Sequence, residues 1–188
     1  MRVWSAPIPD VLVLEPARHG DPRGFFSEVF RADVLDRHGV NGPWIQDNHS
    51  ASAEAGTLRG LHFQVPPVAQ GKLVRVTRGA IYDVAVDLRV GSPWFGQSVA
   101  ETLSAENWRQ IWIPVGFAHG FVTLEPDTEV LYKVTAPYSA EADRGVAFDD
   151  PGLAIPWPVP VTVLSAKDRA LPRLSDLPVT FRFDGGLG

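Results

Sequence analysis

The chain has 188 residues, of which 45% are hydrophobic and 21% are charged, and its formal net charge is −5. This length fits one domain over residues 1–188 with its own core, and the negative charge argues against a general nucleic-acid binder. The absence of cysteine excludes disulfides and thiolate nucleophiles and fits a cytoplasmic protein. Residues 1–16 contain no long apolar run, so we expect neither a signal peptide nor a membrane span.

Short strands separated by turns are the predicted elements. Glycine and proline, 17 of each, are spread along the whole chain and favour this organisation over long helices. Strands are predicted at residues 11–15, 25–30, 58–64, 72–77, 80–88, 96–103, 110–113, 118–124, 129–134 and 146–148. One short helix is predicted over residues 31–38, with Gly39 as its stop, and a helical turn follows the cap-like Ser165.

The C-terminal third differs in composition. Prolines recur through residues 149–160, and proline cannot lie in a central strand. We therefore expect this segment to wrap the outside of the molecule, held by Trp157. The whole pattern predicts an all-β protein, a jelly-roll barrel with a few short helices and a wrapping C-terminal segment.

Lys72 lies on an otherwise apolar strand face. Alternation places Lys72, Val74 and Val76 on one side of the strand that begins at residue 72. A lysine on a valine face either snorkels at an edge or lies in a pocket that holds negative charge. The alternation alone leaves both readings open.

Two histidines are candidates for chemistry. His62 is either a proton acceptor near neutral pH or a structural histidine at a strand end. Simple alternation places it opposite Arg59 and Leu61, and a bulge at Gly60 would change that assignment. His119 is flanked by glycines, which either allow the backbone to approach a ligand closely or form a tight turn before a strand in which the histidine is incidental. The sequence has no H-x-H pair and no H-E-x-x-H helix, so we expect no metal site.

Tyr132 lies between Val130 and Val134 on one predicted face. It is either a core tyrosine with a backbone partner or a proton donor aimed into the barrel, and spacing alone favours the core tyrosine. Several polar residues near strand ends would together suit a sugar phosphate, with arginines for phosphate and amides for hydroxyls. They are Arg23, Glu28, Gln46, Asn48 and Arg59.

Seven motifs occur in order along the chain. They are DPRGFFSE (21–28), QDNHS (46–50), LRGLHFQ (58–64), AQGKLV (69–74), DVAVDLR (83–89), GFAHGF (116–121) and LSAKD (164–168). Together they resemble the dTDP-4-dehydrorhamnose 3,5-epimerase family from about residue 18 to residue 172. Residues 174–188 carry no motif of this kind.

The resemblance implies a cupin-like jelly roll that forms a homodimer and epimerises a dTDP-4-keto-6-deoxyhexose at C3 and C5 in dTDP-L-rhamnose biosynthesis, without metal or cofactor. It implies His62 as base, Asp168 as its orienting partner, Lys72 at the keto oxygen and Tyr132 as acid on the opposite face. Asp83 is a fallback partner for His62. The implied substrate contacts are Arg23, Phe26, Glu28, Gln46, Asp47, Asn48, Arg59, His119, Tyr138, Glu141 and Lys167.

Three alternatives remain open at this point. One is a 3-epimerase or 5-epimerase for another deoxysugar, since the same base and acid can serve one centre or both. A second is a metal-dependent cupin oxygenase, which would need three or four clustered ligands. A third is a non-catalytic sugar-nucleotide-binding module, which would tolerate loss of His62, Lys72 or Tyr132, although all three are present.

Overall fold

The computed structural model describes residues 1–185 and is built almost entirely from strands. The strands are β1 Arg2–Ser5, β2 Leu12–Glu15, β3 Arg18–Asp21, β4 Gly24–Ser27, β5 Gln46–Ser52, β6 Thr57–Gln64, β7 Lys72–Arg78, β8 Ala80–Asp87, β9 Arg89–Val90, β10 Ser98–Ser104, β11 Gln110–Ile113, β12 Phe117–Thr123, β13 Thr128–Val134, β14 Asp143–Gly145, β15 Val163–Leu164 and β16 Phe181–Arg182. Two short α-helices, α1 Ala32–Asp36 and α2 Ala166–Arg169, and a 3-10 turn at Leu174–Asp176 complete the described elements.

Two antiparallel sheets form the barrel. The first has the strand order β1-β2-β11-β7-β13-β5, and the second has the order β10-β8-β12-β6-β14. Strand β15 adds to β6 in parallel. Strands that lie next to each other in these sheets are mostly far apart in the chain, as in a jelly roll. The predicted cupin-like jelly roll is confirmed.

The main core lies between the two sheets. Alternate residues of each strand point inward, so Val74 and Val130 of the first sheet pack against Ile81 and Phe121 of the second. This places Lys72, which shares the face of Val74, on the inner side of the barrel. The predicted alternation of that strand is therefore confirmed.

The C-terminal segment covers the outer face of the second sheet. Val84 and Val86 of β8 pack there with Leu153 and Trp157, and the Trp157 indole donates to the carbonyl of Phe148 at 3.0 Å. Prolines keep this segment out of the sheets, as predicted. Strand β16 then pairs with β9.

Some predicted boundaries differ from the structure. The strand predicted at residues 146–148 is wrong: β14 ends at Gly145, and the Ala147 amide bonds instead to the carbonyl of Pro172 at 2.8 Å. The strand predicted at 25–30 is shorter and forms a separate hairpin, β3–β4. Strand β5 was not predicted, because its sequence is polar apart from Ala51. The predicted single domain includes residues 186–188, which lie outside the described residues.

Within residues 1–185, no helix is long and apolar enough to cross a membrane.

Candidate active site

A bulge in β6 brings Arg59 and His62 to the same wall of the barrel. His119 of β12 is opposite His62, whereas Phe121 is opposite Arg59, so one residue of β12 faces two of β6. Gly60 makes this possible, since its φ is +132° and a Cβ there would lie 2.5 Å from the Cα of Gly120. Simple alternation of β6 is therefore wrong, and the bulge is the reason.

His62 is paired with Asp168. The first turn of α2 presents the carboxylate, and Ser165 caps this helix by accepting from the Asp168 amide at 3.0 Å. Asp168 Oδ1 lies 2.6 Å from His62 Nε2, and Oδ2 accepts from the Gly60 amide at 3.3 Å. The bonded Nε2 carries the ring proton when the imidazole is neutral, which leaves the lone pair on Nδ1. Burial lowers the pKa of His62, and Asp168 opposes this shift.

Lys72 is a pocket cation, not a snorkelling residue. Its side chain is buried, and Nζ donates to the carbonyl of His62 at 3.3 Å. Burial lowers its pKa to about 8, while Asp143 and Asp83 act in the opposite direction. The structure therefore holds an amine beside His62 whose charge is costly to maintain.

Tyr132 lies on β13 of the first sheet, which faces the sheet that carries His62. It is the register partner of both Val74 and Asn48, and its ring packs against the main core. Burial raises the pKa of its hydroxyl, with Arg59 opposing the shift, so the phenol stays protonated at neutral pH. The predicted position of Tyr132, on the inward apolar face of its strand, is thus confirmed.

Two adjoining cavities meet at this cluster. One, of about 370 Å³, is lined by Gln46, Asn48, His62, Phe63, Gln64, Gln70, Lys72, Tyr132, Tyr138, Asp143 and Lys167. The other, of about 490 Å³, is lined by Ser50, Thr57, Leu58, Arg59, His62, Lys72, His119, Phe121, Tyr132, Val163, Leu164, Ser165, Lys167 and Asp168. Their shared residues are His62, Lys72, Tyr132 and Lys167. The structure therefore brings together ten of the predicted site residues at one place.

Charged and aromatic groups surround the mouth of the first cavity. Asp143 accepts from Lys167 and, at 3.2 Å, from the hydroxyl of Tyr138. Burial would lower the pKa of Lys167, but its bond to Asp143 raises it overall. The Tyr138 ring remains exposed, and its amide donates to Gln46 Oε1 at 3.1 Å. This arrangement offers a ring face and a cation to an entering molecule.

Asp83, the fallback partner of His62, is hydrogen-bonded to a different histidine. Its Oδ2 lies 2.9 Å from Nε2 of His119, and the pair is buried inside the barrel. Arg59 reaches Ser52 Oγ at 3.3 Å and the carbonyl of Ala51 at 3.0 Å, on the wall of the second cavity. His119 and Arg59 thus line the second cavity beside the cluster, and their contact with a substrate stays a prediction.

Five predicted contacts lie outside both cavities. Asp47 alternates with its inward neighbours, so its carboxylate points to the outer face and bonds Lys133 at 2.8 Å. Glu141 is exposed in the loop before β14. The remaining three lie on or just after the hairpin β3–β4, which packs on Trp108: they are Arg23, Phe26 and Glu28.

Asp143 is the residue that sequence reasoning missed. It begins the short strand β14, whose sequence has no periodic pattern, and only its contacts with Lys167 and Tyr138 identify it. Among residues 1–185, no group of three or more histidine, aspartate or glutamate side chains could hold a metal ion.

Comparison with known proteins gives a consistent result. The family model described as dTDP-4-dehydrorhamnose 3,5-epimerase matches residues 5–176. A relative of that name from Sinorhizobium fredii is 56% identical over 184 residues, covering 97% of this chain and 94% of the relative.

Solved structures agree with this match. The Bacillus anthracis dTDP-4-dehydrorhamnose 3,5-epimerase, with TDP and PPi bound, is 55% identical, with a TM-score of 0.89 over 92% of this chain and 98% of that one. The Legionella pneumophila dTDP-6-deoxy-D-glucose-3,5-epimerase in complex with dTDP-4-keto-L-rhamnose is 43% identical, with a TM-score of 0.92 over 97% of this chain and 98% of that one. The chain therefore belongs to the dTDP-4-dehydrorhamnose 3,5-epimerase family.

Proposed function

We propose that this chain converts dTDP-4-dehydro-6-deoxy-D-glucose to dTDP-4-dehydro-L-rhamnose by inverting C3 and C5, in dTDP-L-rhamnose biosynthesis. One observation carries the proposal: His62 and Tyr132 come from facing sheets and line the same cavities, with the buried Lys72 beside His62. The inversion of a carbon needs a base on one side and an acid on the other. These two residues supply that pair.

The first step is removal of a proton next to the ketone. The C4 carbonyl acidifies the hydrogens at C3 and C5, because the resulting carbanion delocalises onto the carbonyl oxygen as an enolate. His62 Nδ1 takes the proton, while Asp168 holds Nε2 and stabilises the imidazolium that forms. A positioned general base contributes about 10²–10⁴-fold to the rate.

Lys72 stabilises the enolate oxygen. Its buried ammonium acts where little water competes, and a preorganised donor at an oxyanion is worth about 10²–10³-fold. The ammonium keeps its proton through this step. Its role is therefore electrostatic and separate from the proton transfers.

Tyr132 returns a proton to the opposite face of the same carbon. The C–H proton has gone to His62, and the Tyr132 hydroxyl supplies the new one, so the enolate collapses to the inverted ketone. This leaves an imidazolium and a phenolate. Both groups exchange with solvent before the second inversion, so solvent hydrogen enters the product at each inverted carbon.

Recognition of the nucleotide falls to the cavity mouth and to a second copy of the chain. The ring of Tyr138 suits stacking on the nucleobase, and the cations Arg59 and Lys167 suit the diphosphate. We propose that the chain is a single domain that forms a homodimer, in which the β3–β4 hairpin of one copy adds Arg23 and Phe26 to the site of the other. No residue of the hairpin lines either cavity of its own copy, and Phe26 is 71% exposed, and both observations favour this arrangement.

A cytoplasmic location is also proposed, since a chain without cysteine suits a reducing compartment. Cell fractionation tests this assignment, and recovery of the protein in a secreted fraction would contradict it.

A matched pair of histidine variants tests the proposed reaction. His62→Asn removes the base, whereas His49→Asn changes an exposed histidine of β5 that pairs with Glu129. With dTDP-4-keto-6-deoxyglucose, NMR should show the L-rhamno product for the wild type and His49→Asn, and none for His62→Asn. Unchanged turnover by His62→Asn would exclude His62 as the base, and no product from the wild type would exclude the reaction.

A further inference from the structure

A second buried histidine–carboxylate pair lies inside the barrel and has no part in the proton transfers. Asp83 has no exposed surface, and one of its oxygens, Oδ2, is bonded to Nε2 of His119. Its other oxygen, Oδ1, is buried and has no hydrogen-bond partner within residues 1–185. A buried carboxylate normally satisfies both oxygens, so an unpaired one indicates that this group serves something other than stability.

The cation that needs a counter-charge is Lys72, which lines the same cavity as His119, the hydrogen-bond partner of Asp83. Among the described residues, the only hydrogen bond of its Nζ is to the carbonyl of His62, and a carbonyl carries no charge. Two carboxylates act on it, Asp143 more strongly than Asp83, and Lys167 acts against them. Asp143, however, is already bonded to Lys167, so the charges of that pair largely offset each other.

Asp83 is therefore the carboxylate left to balance Lys72. No other carboxylate of residues 1–185 that lines the two cavities is free, since Asp168 is already paired with His62. The remaining ionisable side chains that line them with Lys72 are not carboxylates; they are Arg59, His62, His119, Tyr132, Tyr138 and Lys167. Burial raises the pKa of Asp83, and both His119 and Lys72 oppose that shift. The interaction between Asp83 and Lys72 thus stabilises the charged form of each.

We propose that Asp83 is a positioning residue that keeps Lys72 a cation in the closed interior of the barrel, with His119 fixing the carboxylate through its other oxygen. This inference rests on the proposed function, because it assigns Asp83 a role through the lysine that stabilises the enolate. It adds a group that touches neither the substrate nor the reacting atoms.

The test compares Asp83→Asn with Asp87→Asn. Asp87 lies four residues further along β8, is equally buried, and bonds Arg89 and Ser92. The kcat/KM for dTDP-4-keto-6-deoxyglucose is measured from pH 6 to 10. The wild type should lose activity as pH rises through the pKa of Lys72, about 8. Asp83→Asn should move this loss to lower pH by about one unit, the low end for a neighbouring charge.

Asp87→Asn should lose kcat/KM at the same pH as the wild type, so the alkaline limb of its pH profile should not move. An unmoved limb in Asp83→Asn, or an equal shift in both variants, would overturn the proposal. If Asp83→Asn does not fold, His119→Gln carries the test. This variant keeps the Asp83 carboxylate, so its kcat/KM should decline at the same pH as in the wild type or at a higher pH. A decline at lower pH would refute the role of Asp83.

A direct titration separates this inference from the proposed reaction. The NMR shift of the Lys72 ε-methylene, assigned by comparison with Lys72→Arg, is followed with pH in the wild type and Asp83→Asn without substrate. A lower titration midpoint in Asp83→Asn supports the inference even if the enzyme acts on another sugar. Equal midpoints would refute it even if epimerisation is established.

Discussion

The replacement of Lys72 by methionine should make the protein more stable and abolish most of its activity. Burial lowers the Lys72 pKa from 10.5 to about 8. At about 1.4 kcal/mol per unit, that difference corresponds to about 3 kcal/mol of stability lost by holding a buried cation. The unfolded chain binds the extra proton between pH 8 and 10.5, so the penalty is complete below pH 8 and fades as pH rises to 10.5.

Methionine fills a similar volume without a charge, so Lys72→Met should gain up to about 3 kcal/mol at pH 7, or about 6–12 °C in Tm for a domain of this size. The gain should shrink by pH 10. The loss of the enolate's cation should lower kcat by about 10²–10³-fold.

Urea denaturation followed by tryptophan fluorescence, at pH 7 and pH 10, measures this gain. Lys133→Met is the matched control: its ion pair with Asp47 is at the surface, so its effect should stay under about 1 kcal/mol. A destabilised Lys72→Met at pH 7, or a gain that does not change with pH, would refute the reasoning that burial of this cation is costly.

Three further outcomes test the remaining groups. Tyr132→Phe should impair inversion with little change in substrate affinity, measured by turnover and calorimetry, and a large affinity loss with normal turnover would contradict its role as acid. Asp168→Asn should lower kcat and move the acid limb of kcat/KM to lower pH, because the carboxylate raises the pKa of His62 against burial. A limb that moves to higher pH would oppose that assignment. Treatment with a chelator should leave activity intact, and a loss restored by a divalent cation would revive the metal-dependent reading.

Alternation and turn chemistry predict much of this fold. Val74 and Val76 fix the inner face of β7, and the same rule places Tyr132 inside the barrel. The cap at Ser165 is readable because its hydroxyl satisfies a free amide of α2. Alternation does not predict strand β5, because it has no apolar face. Its polar residues line the cavities on one side and face solvent on the other.

The site needed tertiary information that local patterns lack. Lys72 was ambiguous in sequence, because a snorkelling and a buried lysine have the same spacing. The bulge at Gly60, which turns Arg59 and His62 to one wall, depends on how closely β12 approaches. The resemblance to the family, not spacing, identified Asp168 more than a hundred residues from His62. Asp143 had no signal at all, because its partners are brought to it only by the fold.

The central claim is that one base and one acid on facing walls invert both carbons beside the C4 ketone. Incubation of the wild type with dTDP-4-keto-6-deoxyglucose in deuterated water tests it most directly. NMR should show deuterium at both C3 and C5 of the L-rhamno product, and none at either carbon with His62→Ala. Deuterium at only one carbon would indicate a 3-epimerase or 5-epimerase, and exchange at either carbon in His62→Ala would contradict a single base at His62.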